Sequence, residues 1–413
     1  MDASLDLITP DVLLALQLRT GNEPLLPRLR SFRCKGVTEG FIPSIPLFLS
    51  SNTTDIVIRF ALNSPAVMVA STVPRLSILC PNLERIFLFD LPRDPAITEA
   101  VSEMLLACNR DTLREFSAIS PLTEEARGLL YRLPKLCRLR TAMQGPVLLP
   151  PVKLPSLIEL FLEYDQGYEW LQRFGGTALG GKLRYVTFHA RSGSTRVTNF
   201  LEVFRSVALT TSAQNTLSRF CFRTLQSWNP NYSSLLVFKH LTELEVEFSC
   251  QVDCSSRVSD NVIISLAESM PRLKILQLGG PPCRAPTGVT FKGLVALACR
   301  CLQLTRLCIH FQAHGLANAT TSTEPPPPSE HAAASPRTIC ALTDLEVGEA
   351  PIPQRAAFAV AITLLQIFPQ LLHIKYGNPQ WKNVADAIKL FRRIGGHVHH
   401  ASKMHLPYTS DDP

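Results

Sequence analysis

Hydrophobic positions in this chain follow one recurring spacing, L-x-x-L-x-L, and its clearest statement comes twice in succession. The segment VSDNVIISLAESMPRLKILQL at 258–278 is followed, at a fixed offset of 31 residues, by VTFKGLVALACRCLQLTRLCI at 289–309. Apolar residues coincide at Val258/Val289, Ile263/Leu294, Leu266/Leu297, Ala267/Ala298, Leu273/Leu304, Leu276/Leu307 and Leu278/Ile309. A period in this range marks stacked solenoid units. Within each unit the apolar spacing changes from three or four (Ile263, Leu266, Ala267) to the alternation of Leu273, Leu276 and Leu278, which predicts a helix followed by a short strand.

The strand spacing recurs with starts at Leu29, Thr53, Leu83, Leu113, Leu136, Leu157, Leu183, Leu217, Leu241, Leu273, Leu304, Leu342 and Leu371. Thr53 is the weakest of them. Successive steps run from 21 to 38 residues and average about 28, so the whole chain reads as one irregular array. The expected fold class is α/β: a leucine-rich-repeat solenoid, a horseshoe with a parallel β-sheet on its concave face and helices on its convex face. Helices are expected at Ala96–Asn109, Thr123–Leu133, Val197–Leu209, Ser259–Met270, Gln354–Phe368 and Trp381–Ile394. In the last, Trp381, Val384, Ile388 and Phe391 share one face, and Gly395 and Gly396 supply a stop. The expected organisation is an N-terminal cap or F-box remnant at 1–24, repeats at 25–314, a disordered insertion at 315–337, C-terminal repeats with a capping helix at 338–396, and a flexible tail at 397–413. The insertion holds four consecutive prolines among small polar residues, a composition that cannot build a packed unit.

Alternation along each strand turns the leucines inward and the residues between them outward. The outward positions comprise Ser31, Arg33, Lys35, Asp55 and Arg59 near the start and Arg138, Arg140 and Thr187 midway. Arg306, His310, Asp344, Glu346, His373 and Lys375 follow near the end. From this face, the candidate protein-binding residues are Arg85, Phe87, Phe89, Glu159, Phe161, Glu163, Tyr185, His189, Arg219, Arg223, Glu243, Glu245 and Glu247. Large aromatics on a wet face are the usual anchors of protein interfaces. The glutamate triplet places like charges on one short strand, and Arg219 and Arg223 of the preceding repeat are placed to offset them.

Composition narrows the function classes. A net charge of +7 over 413 residues is modest, and it is spread along the chain rather than clustered with aromatics as nucleic-acid binding would require. The first residues, MDASLDLITPD, are acidic where a secretory signal is basic. The longest apolar run, at 356–368, falls short of the roughly 20 residues that span a bilayer. These features lead to an expectation of a soluble protein of the cytoplasm or nucleus, with neither membrane nor nucleic-acid partner. Its 12 cysteines are then expected as free thiols acting as small buried hydrophobes.

Catalytic signatures are weak. The stretch GTALGGK at 176–182 has the glycine and lysine spacing of a phosphate loop, but Leu183 stands where Ser or Thr would reach a metal and begins a strand where a helix is required. His397, His399, His400 and His405 lack acidic or cysteine partners at ligand spacing. No catalytic, cofactor or metal residue is therefore assigned, and a non-enzymatic role is expected.

The pattern V-S-D-x-x-I-x-x-L-A-x-x-x-P-x-L-x-x-L-x-L at 258–278, with CPNL at 80–83 and ACRCLQL at 298–304, resembles the cysteine-containing leucine-rich repeats typical of F-box proteins. ALTDLEV at 341–347 and FPQLLHI at 368–374, together with the irregular spacing, look like the F-box-like repeat proteins abundant in mushroom-forming fungi. That resemblance implies a protein-interaction scaffold that recognises substrates for an SCF-type ubiquitin ligase, whose F-box docks the Skp adaptor. LITPDVLLAL at 7–16 is similar to an F-box opening, L-P-x-E-[IV]-L-x-x-I, but the first repeat strand follows too soon for the domain. A free-standing repeat protein without a ligase role is the alternative.

Overall fold

A strand cannot hold its place in a parallel sheet unless its register is fixed at one end, and in this chain the main chain itself does so. In the computed structural model, which describes residues 10–20, 23–143, 154–164, 171, 181–190, 199–225, 230–248, 258–279, 288–313, 339–352 and 356–401, the amides of two successive residues converge on one carbonyl of the preceding repeat. Thr54 and Asp55 donate to the Arg30 carbonyl at 2.9 and 3.0 Å, and Glu84 and Arg85 donate to that of Thr54 at 2.8 and 3.1 Å. The same pairing continues through the carbonyls of Glu84, Arg114, Cys137, Ile158 and Arg184. Each later acceptor residue is also a donor to the repeat before it, so a relay runs unbroken from Ser218 back to Arg30.

The chain divides into two units, 1–226 and 227–413. The first holds strands β1 (Ser31–Val37), β2 (Asp55–Phe60), β3 (Arg85–Phe89), β4 (Glu115–Ala118), β5 (Arg138–Met143), β6 (Glu159–Tyr164), β7 (Tyr185–Ala190) and β8 (Arg219–Thr224). They lie side by side in chain order, every pair parallel. The helices are α1 (Pro10–Thr20), α2 (Ala66–Leu79), α3 (Pro95–Ala107), α4 (Glu124–Leu130) and α5 (Phe200–Thr211), with a 3-10 segment at Glu39–Phe48. The second unit holds β9 (Glu243–Phe248), β10 (Ile275–Leu278), β11 (Arg306–Ile309), β12 (Asp344–Gly348) and β13 (His373–Tyr376), again parallel and in chain order. Its helices are α6 (Asp260–Ser269), α7 (Phe291–Arg300), α8 (Ala357–Ile367) and α9 (Trp381–Ala401). Its own relay runs from Leu372 through the carbonyls of Thr343, Thr305, Lys274 and Thr242. Both units are thus α/β with solenoid-like strand order.

Each of the thirteen described strands starts two residues after a start of the L-x-x-L-x-L spacing. The reason is packing: Leu83, Ile86 and Leu88, like Leu273, Leu276 and Leu278, are all buried against the helical layer. Burying one such side chain contributes about 1.5–3 kcal/mol, so sequence at these positions is narrowly restricted. Thr53 fits the same slot because its hydroxyl is satisfied there, donating to the Leu29 carbonyl at 2.9 Å and accepting from the Ser50 amide. Thr112 and Thr216 likewise donate to the carbonyls of Leu83 and Leu183. In the second unit a thiol takes over this task, with Cys301 Sγ 3.6 Å from the Met270 carbonyl oxygen and Cys340 Sγ 3.8 Å from that of Leu304.

The last helix of each unit supplies aromatic bulk. Phe200 and Phe204 of α5 pack on Phe188, Phe220 and Phe222 with ring centroids 4.5–5.5 Å apart. In the second unit, Trp381 opens α9 fully buried, its indole N–H donating to the Ala350 carbonyl at 2.8 Å.

The helices depart from the sequence reading at several points. Helix α2 is not among those expected, because Pro74 lies in its interior, where it removes a hydrogen bond and costs about 3 kcal/mol. Burial of Val69, Val73 and Leu76 and packing against α3 offset that cost. The glycine pair Gly395–Gly396 does not stop α9, which continues to Ala401; glycine weakens a helix by about 1 kcal/mol without breaking it. The expected helix at Thr123–Leu133 is shorter than its pattern, closing at Leu130. The insertion at 315–337 lies outside the described residues, as does most of the tail.

Helices α6 and α7 are tied by one carboxylate. Asp260 accepts from the Thr290 amide at 2.8 Å, the Thr290 hydroxyl at 2.7 Å and the Gly293 amide at 3.0 Å, capping the following helix from the repeat before it. A Cβ at Gly293 would stand 2.6 Å from Asp260 Oδ1. Asp260→Ala is expected to lower the stability of the second unit by about 1–2 kcal/mol, and Gly293→Ala to do so comparably; urea denaturation curves measure both. Burial pushes the thiols of Cys80 up to about 11 and of Cys108, Cys301 and Cys308 up to about 12, from an ordinary 9.0. Cys299 is exposed. Alkylation of the native protein near neutral pH, mapped by mass spectrometry, should therefore mark Cys299 and spare those four until the chain is unfolded.

Candidate functional site

Because the relay sets every strand start level with its neighbour, outward side chains form straight rows across the sheet. In the first unit the row nearest the strand starts runs Asp55, Arg85, Glu115, Arg138, Glu159, Tyr185, Arg219. Its first five members alternate in sign. Arg85 forms a two-pronged pair with Asp55, with Nη2 2.6 Å from Oδ2 and Nε closer still to Oδ1. The hydrogen bond to Asp55 pushes the Arg85 guanidinium above its ordinary value, against some desolvation. Arg138 reaches Glu115 at 3.2 Å and Glu159 at 3.5 Å. Glu115 is absent from the surface read from sequence, although the alternation around Phe116 places it there.

The second row is Arg33, Val57, Phe87, Ser117, Arg140, Phe161, Thr187, Cys221. Arg140 lies over the Phe161 ring, 4.2 Å from its centroid, a cation–π contact strengthened by partial burial. That burial pulls the Arg140 guanidinium below its ordinary value, while the carboxylates of Glu163 and Glu159 oppose the shift. The third row opens with Lys35, Arg59 and Phe89 and, further along, brings Ala142, Glu163, His189 and Arg223 together. Phe87 and Phe89 stack on one another at 6.2 Å.

Among the candidate binding residues, Glu159, Tyr185 and Arg223 are exposed, and Arg85, Phe87, Phe89, Phe161, His189 and Arg219 are half-buried. Tyr185, at 41%, is the most open large aromatic of the set. Glu163 departs from expectation: its register is outward, yet it is only 7% exposed. It sits between the small Ala142 and His189 within the field of Arg140, and is held low on the surface rather than presented to solvent.

In the second unit acidic residues gather on β9. Glu243 and Glu247 are half-buried, while Glu245 is buried at 7% despite its outward register, a second correction. Gln277, from the next strand, donates to Glu247 at 2.7 Å. Two strands further on, Glu346 is clasped by Arg306 at 3.6 Å and Lys375 at 3.0 Å. Cys308 lies within the field of Glu346 and Glu247, which add to the effect of burial in holding its thiol protonated. Like-charge crowding on β9 is thus relieved partly by an amide donor that the spacing of leucines could not reveal. The arginines at 219 and 223 belong to the first unit and the glutamates to the second.

Lys182 and Gly181 are exposed in the turn that leads directly into β7, and the preceding residues 172–180 of the glycine-rich stretch lie outside the described residues. No group of His, Cys, Asp and Glu suited to a metal ion occurs among the described residues. No described helix is long and apolar enough to cross a membrane. Compared with known proteins, the sequence matches no family model and no curated protein.

The row of alternating charges stabilises the face unevenly. Asp55 has a side chain only 12% exposed with both oxygens engaged, whereas Glu159 is 49% exposed. Asp55→Ala should cost about 2 kcal/mol and Glu159→Ala under about 1 kcal/mol, and guanidinium denaturation of the two variants against the parent compares them.

Proposed function

We propose that this chain is a non-catalytic protein-binding scaffold of the leucine-rich-repeat type, using the outward face of its strands. The observation that carries this reading is a set of large aromatics, Phe87, Phe89, Phe161 and Tyr185, left exposed or half-exposed in ordered rows on a sheet. Side chains held on stiff strands lose little entropy when a partner arrives, and aromatic and arginine anchors dominate the energetics of interfaces. The Arg140 guanidinium over the Phe161 ring, 4.2 Å from its centroid, supports the same reading.

The more specific proposal is substrate recognition for an SCF-type ubiquitin ligase. It is supported by the resemblance of the repeats to those of F-box proteins. The alternative is a repeat protein free of any ligase. Affinity purification of the full natural gene product addresses both. Co-purification of the Skp adaptor is expected if the ligase role holds, and its absence removes that role. Partners lost on Phe161→Ala with Tyr185→Ala are expected on the scaffold reading; partners indifferent to both substitutions would place binding elsewhere.

A further inference from the structure

The charges on the outward face of the first unit are not evenly compensated. From β2 to β6 the first row neutralises itself, Asp55 with Arg85 and Glu115 and Glu159 with Arg138. Around β1 to β3, the second and third rows behave differently. Among the described residues Arg33 and Lys35, both exposed, form no ion pair, and the one ion pair of Arg59, 55% exposed, is with Asp90 at 3.5 Å. Asp55, the carboxylate of the adjoining row, is engaged by Arg85. Register places Arg33 level with Val57 and Phe87, and Lys35 level with Arg59 and Phe89. Three cations therefore adjoin a stacked pair of half-exposed rings across three strands.

We propose that the outward face of β1–β3 binds an acidic peptide segment carrying an aromatic or large aliphatic side chain. Arg33, Lys35 and Arg59 take its carboxylates, and the edge of the Phe87–Phe89 pair takes its apolar group. This rests on the protein-binding reading above and names the chemistry of the partner. Geometry supports a peptide. Arg33 and Lys35 stand two residues apart on one strand, about 7 Å, which is the spacing of alternate side chains in an extended segment lying along the sheet. Neighbouring strands are about 4.8 Å apart, which brings Arg59 within reach of the same segment. A nucleic acid would also seek cations beside rings, but its bases need a free ring face to stack on. Here the Phe89 face is covered by the Arg59 guanidinium, 5.3 Å from the centroid, and Phe87 and Phe89 are turned to each other.

Selection of a displayed library of short random peptides on the full chain tests the proposal. The follow-up is fluorescence anisotropy with a fluorescein-labelled selected peptide and a fluorescein-labelled oligouridylate. Expected is enrichment of peptides in which Asp or Glu alternates with an aromatic or large aliphatic residue. Their Kd should rise by about tenfold or more in the Arg33→Glu, Lys35→Glu, Arg59→Glu triple variant and with added salt, and stay unchanged in Lys382→Glu, an exposed position on α9. All three substituted residues are exposed, and an unaltered thermal melt by circular dichroism confirms that the variant is folded. Peptides insensitive to the triple variant but lost with Tyr185→Ala would overturn this assignment while leaving the protein-binding reading standing. Binding of the oligouridylate in place of any peptide would overturn it in favour of RNA. Retention of no peptide and no RNA by the parent chain would overturn both.

Discussion

Two amides meeting one carbonyl as each strand enters beside its predecessor is the constraint on which each unit depends. A parallel sheet has evenly spaced but slanted hydrogen bonds and no hairpin turn to set register, and a slip of one residue would turn every buried leucine to solvent. Here the residue just before each strand is fixed to its counterpart in the preceding repeat, as Glu84 is to Thr54 and Thr305 to Lys274. The chain between those points can then vary in length, because only the strand entry has to match. The short step from Leu136 to Leu157 and the much longer one from Thr53 to Leu83 are both accommodated without disturbing the rows.

The relay uses main-chain groups, so it leaves the side chains of its own residues unconstrained. Arg30, Arg114, Ile158 and Arg184 all occupy it and all are exposed. Where a hydroxyl falls at this position it adds a bond to the same carbonyl, as Thr54, Ser218 and Thr305 do, but none is required. Nearer the core the demands tighten: Thr112, Thr216, Cys301 and Cys340 each direct a hydroxyl or thiol at a carbonyl of the preceding turn. Cysteine suits that place because it packs as a small apolar group while offering a weak donor.

These facts explain what could be read in advance. Strand positions were legible to the residue, since the leucine slots are buried and admit few alternatives. Helix α2 was hidden by Pro74, whose local cost is outweighed only by tertiary packing that no window of sequence displays. The end of α9 was misplaced because two glycines lower helix propensity without forcing a stop. For the outward face, alternation told which residues leave the core but not how far each rises above its neighbours. Glu163 and Tyr185 have the same outward parity, and one is buried while the other is open. The difference lies in which side chains stand next to them across the strands, and that depends on register between repeats of unequal length.

Registered rows also decide where a partner can gain free energy. On the self-neutralised row a newcomer would have to replace existing contacts such as Arg85 with Asp55 or Arg138 with Glu115, at the cost of desolvating pairs that are already made. The aromatic positions carry no such penalty, since covering a half-exposed ring releases water at about 25 cal/mol per Å² of apolar area. Cations such as Arg33 and Lys35, which form no ion pair among the described residues, add steering and selectivity to that gain. The relay sets the rows, the rows pair most charges off, and the groups left over, a few rings and a few cations, are those on which recognition can act.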